Sequence, residues 1–327
     1  MRSKDELQSA IREAGRAVLV VNALSRRGRR MYGTARDLLK AAGLEFVEVF
    51  PVTDPERLGG LFEDALALEP DLVVVGGGDG TVAEAVGHLA HRDVALGVLP
   101  LGTTNNFARS LELPLDLAGA VEVLRNGKVA DVDVGWFEGT THGAPDDPAG
   151  AGAGPSKHIF ANMVSLGLSV HVAEHVPHEL KRIMGRAAYA VTAARLLPRH
   201  EAFDATIRIG DQTYRMATHQ LNVANGAHHS GRRIARDASP DDRLLAVYRL
   251  GDRRRLQLAS ATARHVLTGP WRSLTEDAFI TTDHVHIETD PPLDVDVDGE
   301  IRGRTPVTIR LLGNALRVLV PGSFVDT

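Results

Sequence analysis

The sequence has no cysteine in its 327 residues. That excludes structural disulfides, thiolate catalysis and cysteine-based zinc sites, and it fits a reducing cytosol. It also lacks a basic excess. The formal net charge is −5, whereas general nucleic-acid binders are more often basic, so no nucleic-acid partner is expected. No run approaches 18 apolar residues, so no helix is expected to span a membrane. Any membrane contact would be peripheral. The N-terminus has no apolar signal core, and Met1 to Gly15 reads as a charged amphipathic helix with Ser3 and Glu6 spaced as a capping box. Internal repeats are absent. Lysine is scarce beside arginine, which codon bias explains better than headgroup binding.

What is present supports a folded enzyme of ordinary make-up. Hydrophobic residues make up 43% and charged residues 24%, enough for a sizeable core. The length predicts two domains, divided near residue 134. In the first, 1–134, strand and helix patterns alternate. Apolar runs at Ala17 to Ala23, Glu45 to Val52, Asp71 to Val75 and Val94 to Leu99 read as strands. Between and after them, Thr34 to Ala42, Asp54 to Leu68, Val82 to Ala90 and Leu117 to Arg125 read as helices, with Asp54 as N-cap and Pro55 at the first helical position. This alternation predicts an α/β domain with a parallel sheet and helices on both faces, and sites at the carboxyl ends of its strands.

The second region, 135–327, reads as a largely antiparallel, β-rich domain whose last strand can return to the first. Its strands are expected at Ala205 to Ile209, Tyr214 to Ala224, Leu244 to Leu250, His284 to Glu288, Leu293 to Val297 and Thr308 to Leu312. Two helices interrupt it, near Lys181 to Leu197 and Arg254 to Leu267. Thr140 to Pro155 reads as a Gly/Ala/Pro-rich loop.

The richest chemistry follows the third strand. Gly76-Gly77-Gly78-Asp79-Gly80-Thr81 is a strand-to-helix turn. Glycines there permit positive φ and close backbone approach, and a helix N-terminus suits phosphate. Thr81 and Glu84 have capping-box spacing. Asp79 among phosphate-binding amides implies a cation such as Mg²⁺. No Gly-Lys-Ser/Thr follows, so this is not a Walker loop. Asn22, Ser25 and Arg26 end the first strand, Thr53 the second, and the loop Leu101 to Arg109 the fourth. Four strands thus deliver polar groups to one edge.

Asp298 ends an alternating run in which Asp294, Asp296 and Asp298 are expected on one face. Such like charges need cations, solvent or a raised pKa. His171, His175 and His178 share helical spacing, but Pro177 interrupts it. They read as surface or packing histidines rather than zinc ligands.

The ordered set GGDGT, GTTNNFAR, DVDVG, Phe160-Ala161-Asn162 and Asp298-Gly299-Glu300 resembles the diacylglycerol kinase catalytic-domain superfamily, in particular its soluble bacterial lipid kinases. The resemblance implies ATP as co-substrate, contacted by Asn22, Ala23, Leu24, Ser25, Arg26, Thr53, Gly77, Gly78, Asp79, Gly80, Thr81, Glu84 and Thr103. It implies Mg²⁺ at Asp79 and Asp133, a second Mg²⁺ at Ser239, Asp242 and Leu244, and a general base that is Asp298 or Glu300. The acceptor would be a lipid alcohol, by default diacylglycerol giving phosphatidic acid for phospholipid biosynthesis. The setting would be cytoplasmic, with peripheral contact at the inner membrane face and a homodimer left open. An NAD kinase-like enzyme and a nucleotide- or lipid-binding protein without catalysis are the rival readings. The chain departs from the family pattern at Ala23, Arg26, Asn106 and Arg243. Asn106 stands where soluble bacterial members usually carry Asp, and Arg243 where a metal loop carries Gly.

Overall fold

A computed structural model describes residues 1–23, 26–141, 154–176, 191–192, 195–196, 200–226, 228–229, 232–233, 240–250 and 279–326. Helix α1 (Lys4–Ala14) opens the chain with the expected Ser3–Glu6 capping box. The first half then runs β1 (Ala17–Asn22), α2 (Arg26–Ala41), β2 (Glu48–Val52), α3 (Leu58–Leu66), β3 (Leu72–Gly77), α4 (Asp79–Leu89), β4 (Ala95–Pro100), α5 (Asn106–Ser110) and α6 (Leu117–Asn126). The strands lie side by side in the order β4-β3-β1-β2 and are all parallel.

Both faces of this sheet are covered, which is why its strands read as continuous apolar runs. Val18, Val20, Val73 and Val75 pack with Phe62 and Val86 on one face. Leu19, Val21 and Val74 pack with Leu7, Leu39 and Leu124 on the other. Asp54 does cap the segment after β2, its carboxylate accepting from the Glu56 N–H. That segment begins as a 3₁₀ turn, Pro55–Arg57, before α3.

The second half adds β5 (Lys128–Thr140), β6 (Pro155–Phe160), β7 (Met163–Gly167), α7 (Leu168–His175), β8 (Phe203–Ile209), β9 (Gln212–Thr218), β10 (Gln220–Ala224), β11 (His228–His229) and β12 (Arg232–Arg233). It continues with β13 (Leu245–Leu250), β14 (Ile280–Thr282), β15 (His284–Asp290), β16 (Asp294–Val297) and β17 (Glu300–Val320). All pairings within this half are antiparallel. A second core gathers Phe137, Phe160, Leu166, Ile207, Val223, Ile287 and Ile309.

The two halves share one sheet. β17 pairs antiparallel with β5 from Thr140 down to Lys128 and, at Arg317 and Val318, parallel with β4. The short strand expected at Thr308 to Leu312 is therefore the middle of a 21-residue element. The strand expected over Tyr214 to Ala224 is broken in two at His219. Most of the loop 140–155, and nearly all of the helices expected at 181–197 and 254–267, lie outside the described residues.

Candidate active site

The loop after β3 works by close packing. None of its glycines has positive φ, contrary to the expectation. Gly78 is the N-cap, with extended backbone (φ −97°) and no side-chain cap, so the first-turn amides of α4 carry no side-chain partner at the cap. A Cβ on Gly77 would stand 2.6 Å from the Cβ of Thr81, and one on Gly102 would stand 2.5 Å from the Cα of Gly78. The loops after β3 and β4 are thereby pressed together, and the Leu101 and Gly102 N–H groups donate to the Gly77 carbonyl at 2.9 and 3.1 Å.

The expected Thr81–Glu84 capping box does not form, because α4 starts at Asp79 rather than Val82, three residues earlier. Thr81 is buried, and its hydroxyl accepts from the Asn22 side-chain amide at 3.2 Å, tying the end of β1 to α4. Glu84 lies a further turn down the helix, against Gly59 of α3. A hydrogen bond from His88 holds its carboxyl below the ordinary range. It is therefore absent from the turn where phosphate would bind. Thr53 is exposed just beyond β2. The Ala23 N–H donates to the Val52 carbonyl at 3.0 Å. Arg26 opens α2, while Leu24 and Ser25 lie outside the described residues.

Asp79 organises the neighbouring loop. Its Oδ1 accepts from the Asn106 N–H at 2.5 Å and the Phe107 N–H at 3.4 Å, and its Oδ2 accepts from the Thr104 hydroxyl. Asp79 thus caps α5. Asn105, left-handed at φ +49°, closes the same loop with side-chain bonds to Gly102 N–H at 3.0 Å and Gly102 carbonyl at 3.1 Å. Sequence reasoning stressed Thr103, which is exposed at the tip, and missed Thr104 and Asn105. Asn tolerates left-handed backbone better than most residues, so two asparagines after Thr-Thr were the available signal. At Asn106, the departure from the family pattern, the backbone N–H is what binds Asp79.

In the β-rich half, β16 ends at Val297 and Asp298 leaves the strand. Asp298 and Gly299 are both left-handed (φ +52° and +100°) and form the turn into β17. Asp294, Asp296 and Asp298 therefore do not share one strand face as expected. The Asp298 carboxylate accepts from Ala161 N–H at 2.6 Å, Asn162 N–H at 2.9 Å and Met163 N–H at 3.0 Å. In return its own N–H donates to the Met163 carbonyl. The Phe160-Ala161-Asn162 and Asp298-Gly299-Glu300 segments are thus one construction. Burial pushes the Asp298 carboxyl above its usual range; the three amides oppose this, and the charge of Asp79 adds to the rise. Glu300 is exposed and ion-paired with Arg302 at 2.5 Å.

Asp296 accepts from Gly299 N–H at 2.9 Å, yet burial, with Asp298 and Glu300 adding to it, pushes its carboxyl up to about 6. An acid held above its unfolded value of 3.8 costs nothing while protonated in both states. The cost builds as pH rises from about 4 to 6 and stays constant above that, at no more than about 3 kcal/mol. Asp296→Asn keeps the acceptor. It is expected to match the wild type at pH 3.5 and to be more stable by about 1–3 kcal/mol at pH 8, as read from urea midpoints.

Helix α5 bridges the two sets. A Cβ on Gly226 would stand 3.0 Å from the Ser110 hydroxyl and 3.7 Å from Asn162 Oδ1. Asn225 donates from its side chain to the Asp133 carbonyl at 2.8 Å and the Ala161 carbonyl at 3.1 Å. Among the described residues, Asn162 Oδ1 and Asn225 Oδ1 are buried acceptors without a donor.

Asp133, expected at a magnesium ion, is held by backbone amides. Asp133 is fully buried, with Oδ1 accepting from Asn314 N–H and Oδ2 from Arg243 N–H, each at 2.8 Å. It clamps two turns. Arg243 makes its bond from the left-handed region (φ +59°), where glycine is favoured. Arg243→Gly is expected to stabilise the fold by about 1 kcal/mol, measured by equilibrium unfolding. Asp242 uses Oδ1 to accept from Leu244 N–H at 3.0 Å. Ser239, the third member of the second metal set, lies outside the described residues.

The sequence profile of the diacylglycerol kinase catalytic domain matches residues 16–137. That of the YegS C-terminal NAD kinase beta sandwich-like domain matches 162–320. A Staphylococcus haemolyticus (strain JCSC1435) protein named "Putative lipid kinase SH2167" is 32% identical over 253 residues, 76% of each chain. The crystal structure of a diacylglycerol kinase from Bacillus anthracis str. Sterne superposes with a TM-score of 0.72 at 25% identity, covering 95% of this chain and 98% of that one. With both profiles in order along one shared sheet, this chain belongs to the diacylglycerol kinase-like family of lipid kinases.

Proposed function

We propose that this chain transfers the γ-phosphoryl group of ATP to the hydroxyl of a lipid alcohol, with diacylglycerol as acceptor and phosphatidic acid as product. The observation that carries the reading is that two turns each present an amide-bound carboxylate, Asp79 at the glycine turn of the α/β half and Asp298 at the turn of the β-rich half. The charge of Asp79 adds to the rise of the Asp298 carboxyl, and like charges that interact favour a cation or a proton nearby.

The amides of Gly78 to Thr81 at the start of α4 bind phosphate oxygens. Asp79 would hold Mg²⁺ with the nucleotide, and the ion supplies charge neutralisation at the phosphates. Of the Asp298 oxygens, Oδ2 accepts one N–H and Oδ1 two, so Oδ2 keeps an acceptor position. It takes the proton of the lipid hydroxyl as that oxygen attacks the γ-phosphorus. Among the described residues no helix is long and apolar enough to cross a membrane. The lipid would be taken from a bilayer by peripheral contact.

Purified protein incubated with labelled ATP, Mg²⁺ and a panel of lipid alcohols in mixed micelles tests the reading. Labelled phosphatidic acid from diacylglycerol is expected. Another phosphorylated lipid instead would overturn the acceptor. ATP binding without any product would favour a binding protein, and phosphorylation of NAD without lipid turnover an NAD kinase-like enzyme.

A further inference from the structure

A second group of donors stands apart from this cleft. On α7, His171, Glu174 and His175 occupy positions i, i+3 and i+4, which share one helix face. All three are exposed, and their ligand atoms lie within 4.8 Å of one another. The earlier histidine reading relied on His178, beyond Pro177. The helix ends at His175, and the third donor is Glu174 instead.

The helix also sets the tautomer of one ring. His175 Nδ1 lies 2.8 Å from the His171 carbonyl. A carbonyl only accepts, so Nδ1 carries the proton and Nε2 keeps its lone pair. The His171 ring lies 4.3 Å from that of His175, centroid to centroid, and 6.3 Å from that of His200. His200 is itself held by the His219 carbonyl at 3.3 Å. His171 and Glu174 also line a cleft with Pro292, Leu293 and Arg304, which leaves room for a water on the open side.

We propose that His171, Glu174 and His175 form a binding site for a zinc-class divalent cation, with a fourth position open to the cleft. Two imidazoles and a carboxylate suit Zn²⁺ and its neighbours, whereas Mg²⁺ prefers oxygen ligands. Bond lengths of about 2.0–2.2 Å require the donors to draw in slightly, which exposed side chains do by rotation. The site is independent of phosphoryl transfer. It follows the Gly167 end of β7, whereas Asp298 is bound at the Met163 end, about 13 Å away along the strand.

The test is titration of the chelator-treated full chain with Zn²⁺ against a chromophoric chelator, in excess Mg²⁺. One equivalent is expected to bind, with at least about 10-fold weaker binding in His171→Ala, His175→Ala and Glu174→Gln. His284→Ala, an exposed histidine elsewhere, serves as control and is expected to leave affinity unchanged. Because the three side chains are exposed, the variants should keep the wild-type circular dichroism. Co²⁺ supplies an independent readout, a ligand-field spectrum distinct from that of the aquo ion. Equal affinity in the three variants, displacement by Mg²⁺, or an aquo-like Co²⁺ spectrum would each overturn the site.

Discussion

Asp298→Asn is expected to lower kcat by about 10²–10⁴-fold, the range for loss of a positioned general base, while ATP affinity stays within about twofold. The substitution keeps the shape and one acceptor oxygen, which can still serve Asn162 and Met163. The new amide group, however, faces the Ala161 N–H, a donor that now lacks its acceptor. That mismatch costs about 1–3 kcal/mol, so a lowered melting temperature should accompany the loss of turnover. Calorimetric ATP binding separates the two effects. Glu300→Gln is the contrast: its side chain is exposed and paired with Arg302, and its kcat is expected to fall by less than about tenfold. Wild-type turnover in Asp298→Asn would remove it from the role of base and leave Glu300.

Asp79→Asn is expected to reduce kcat/KM by about 10²–10³-fold, the scale seen when one preorganised charge-stabilising group is lost. Here the structural and chemical duties of the residue come apart. The remaining oxygen can still accept from Asn106 and Phe107 and cap α5, so stability should change by less than about 1 kcal/mol. The negative charge that would hold Mg²⁺ is gone. Raising Mg²⁺ should recover part of the activity if the carboxylate binds the ion. Activity insensitive to both the substitution and Mg²⁺ would show that Asp79 is a cap alone. Asp79→Ala, which removes the cap as well, should lose stability in addition.

Much of the first half was legible because burial on two faces leaves a plain signature. Val18 to Val21 and Val73 to Val75 are apolar at every position since each side meets a core. Caps at Ser3 and Asp54 were equally readable, being local chemistry over a few residues. What stayed hidden is long-range or depends on backbone handedness. Nothing around Asp133 announces that its oxygens are taken by amides 110 and 181 residues away. Asp298 looked like the last residue of an alternating strand, but its left-handed backbone turns the carboxylate onto Ala161 to Met163. Gly313 and Asn314 concealed the length of β17, since a glycine beside a left-handed asparagine resembles a turn between two strands. Thr81 and Glu84 fitted a capping box by spacing alone. The helix instead starts at Asp79 with Gly78 as its cap.

The shared strand also governs how the cleft can move. Enzymes that close on two substrates commonly swing domains about a flexible linker, but here β5 and β17 run through the junction as a paired ribbon. A hinge must therefore be a bend in that ribbon rather than a swivel. The ladder is irregular between Leu312 and Leu316, where Asn314 is left-handed. Asp133 grips that irregularity through the Asn314 amide and at the same time holds Arg243. Any bend of the ribbon there must carry the buried acid and both of its amide partners with it.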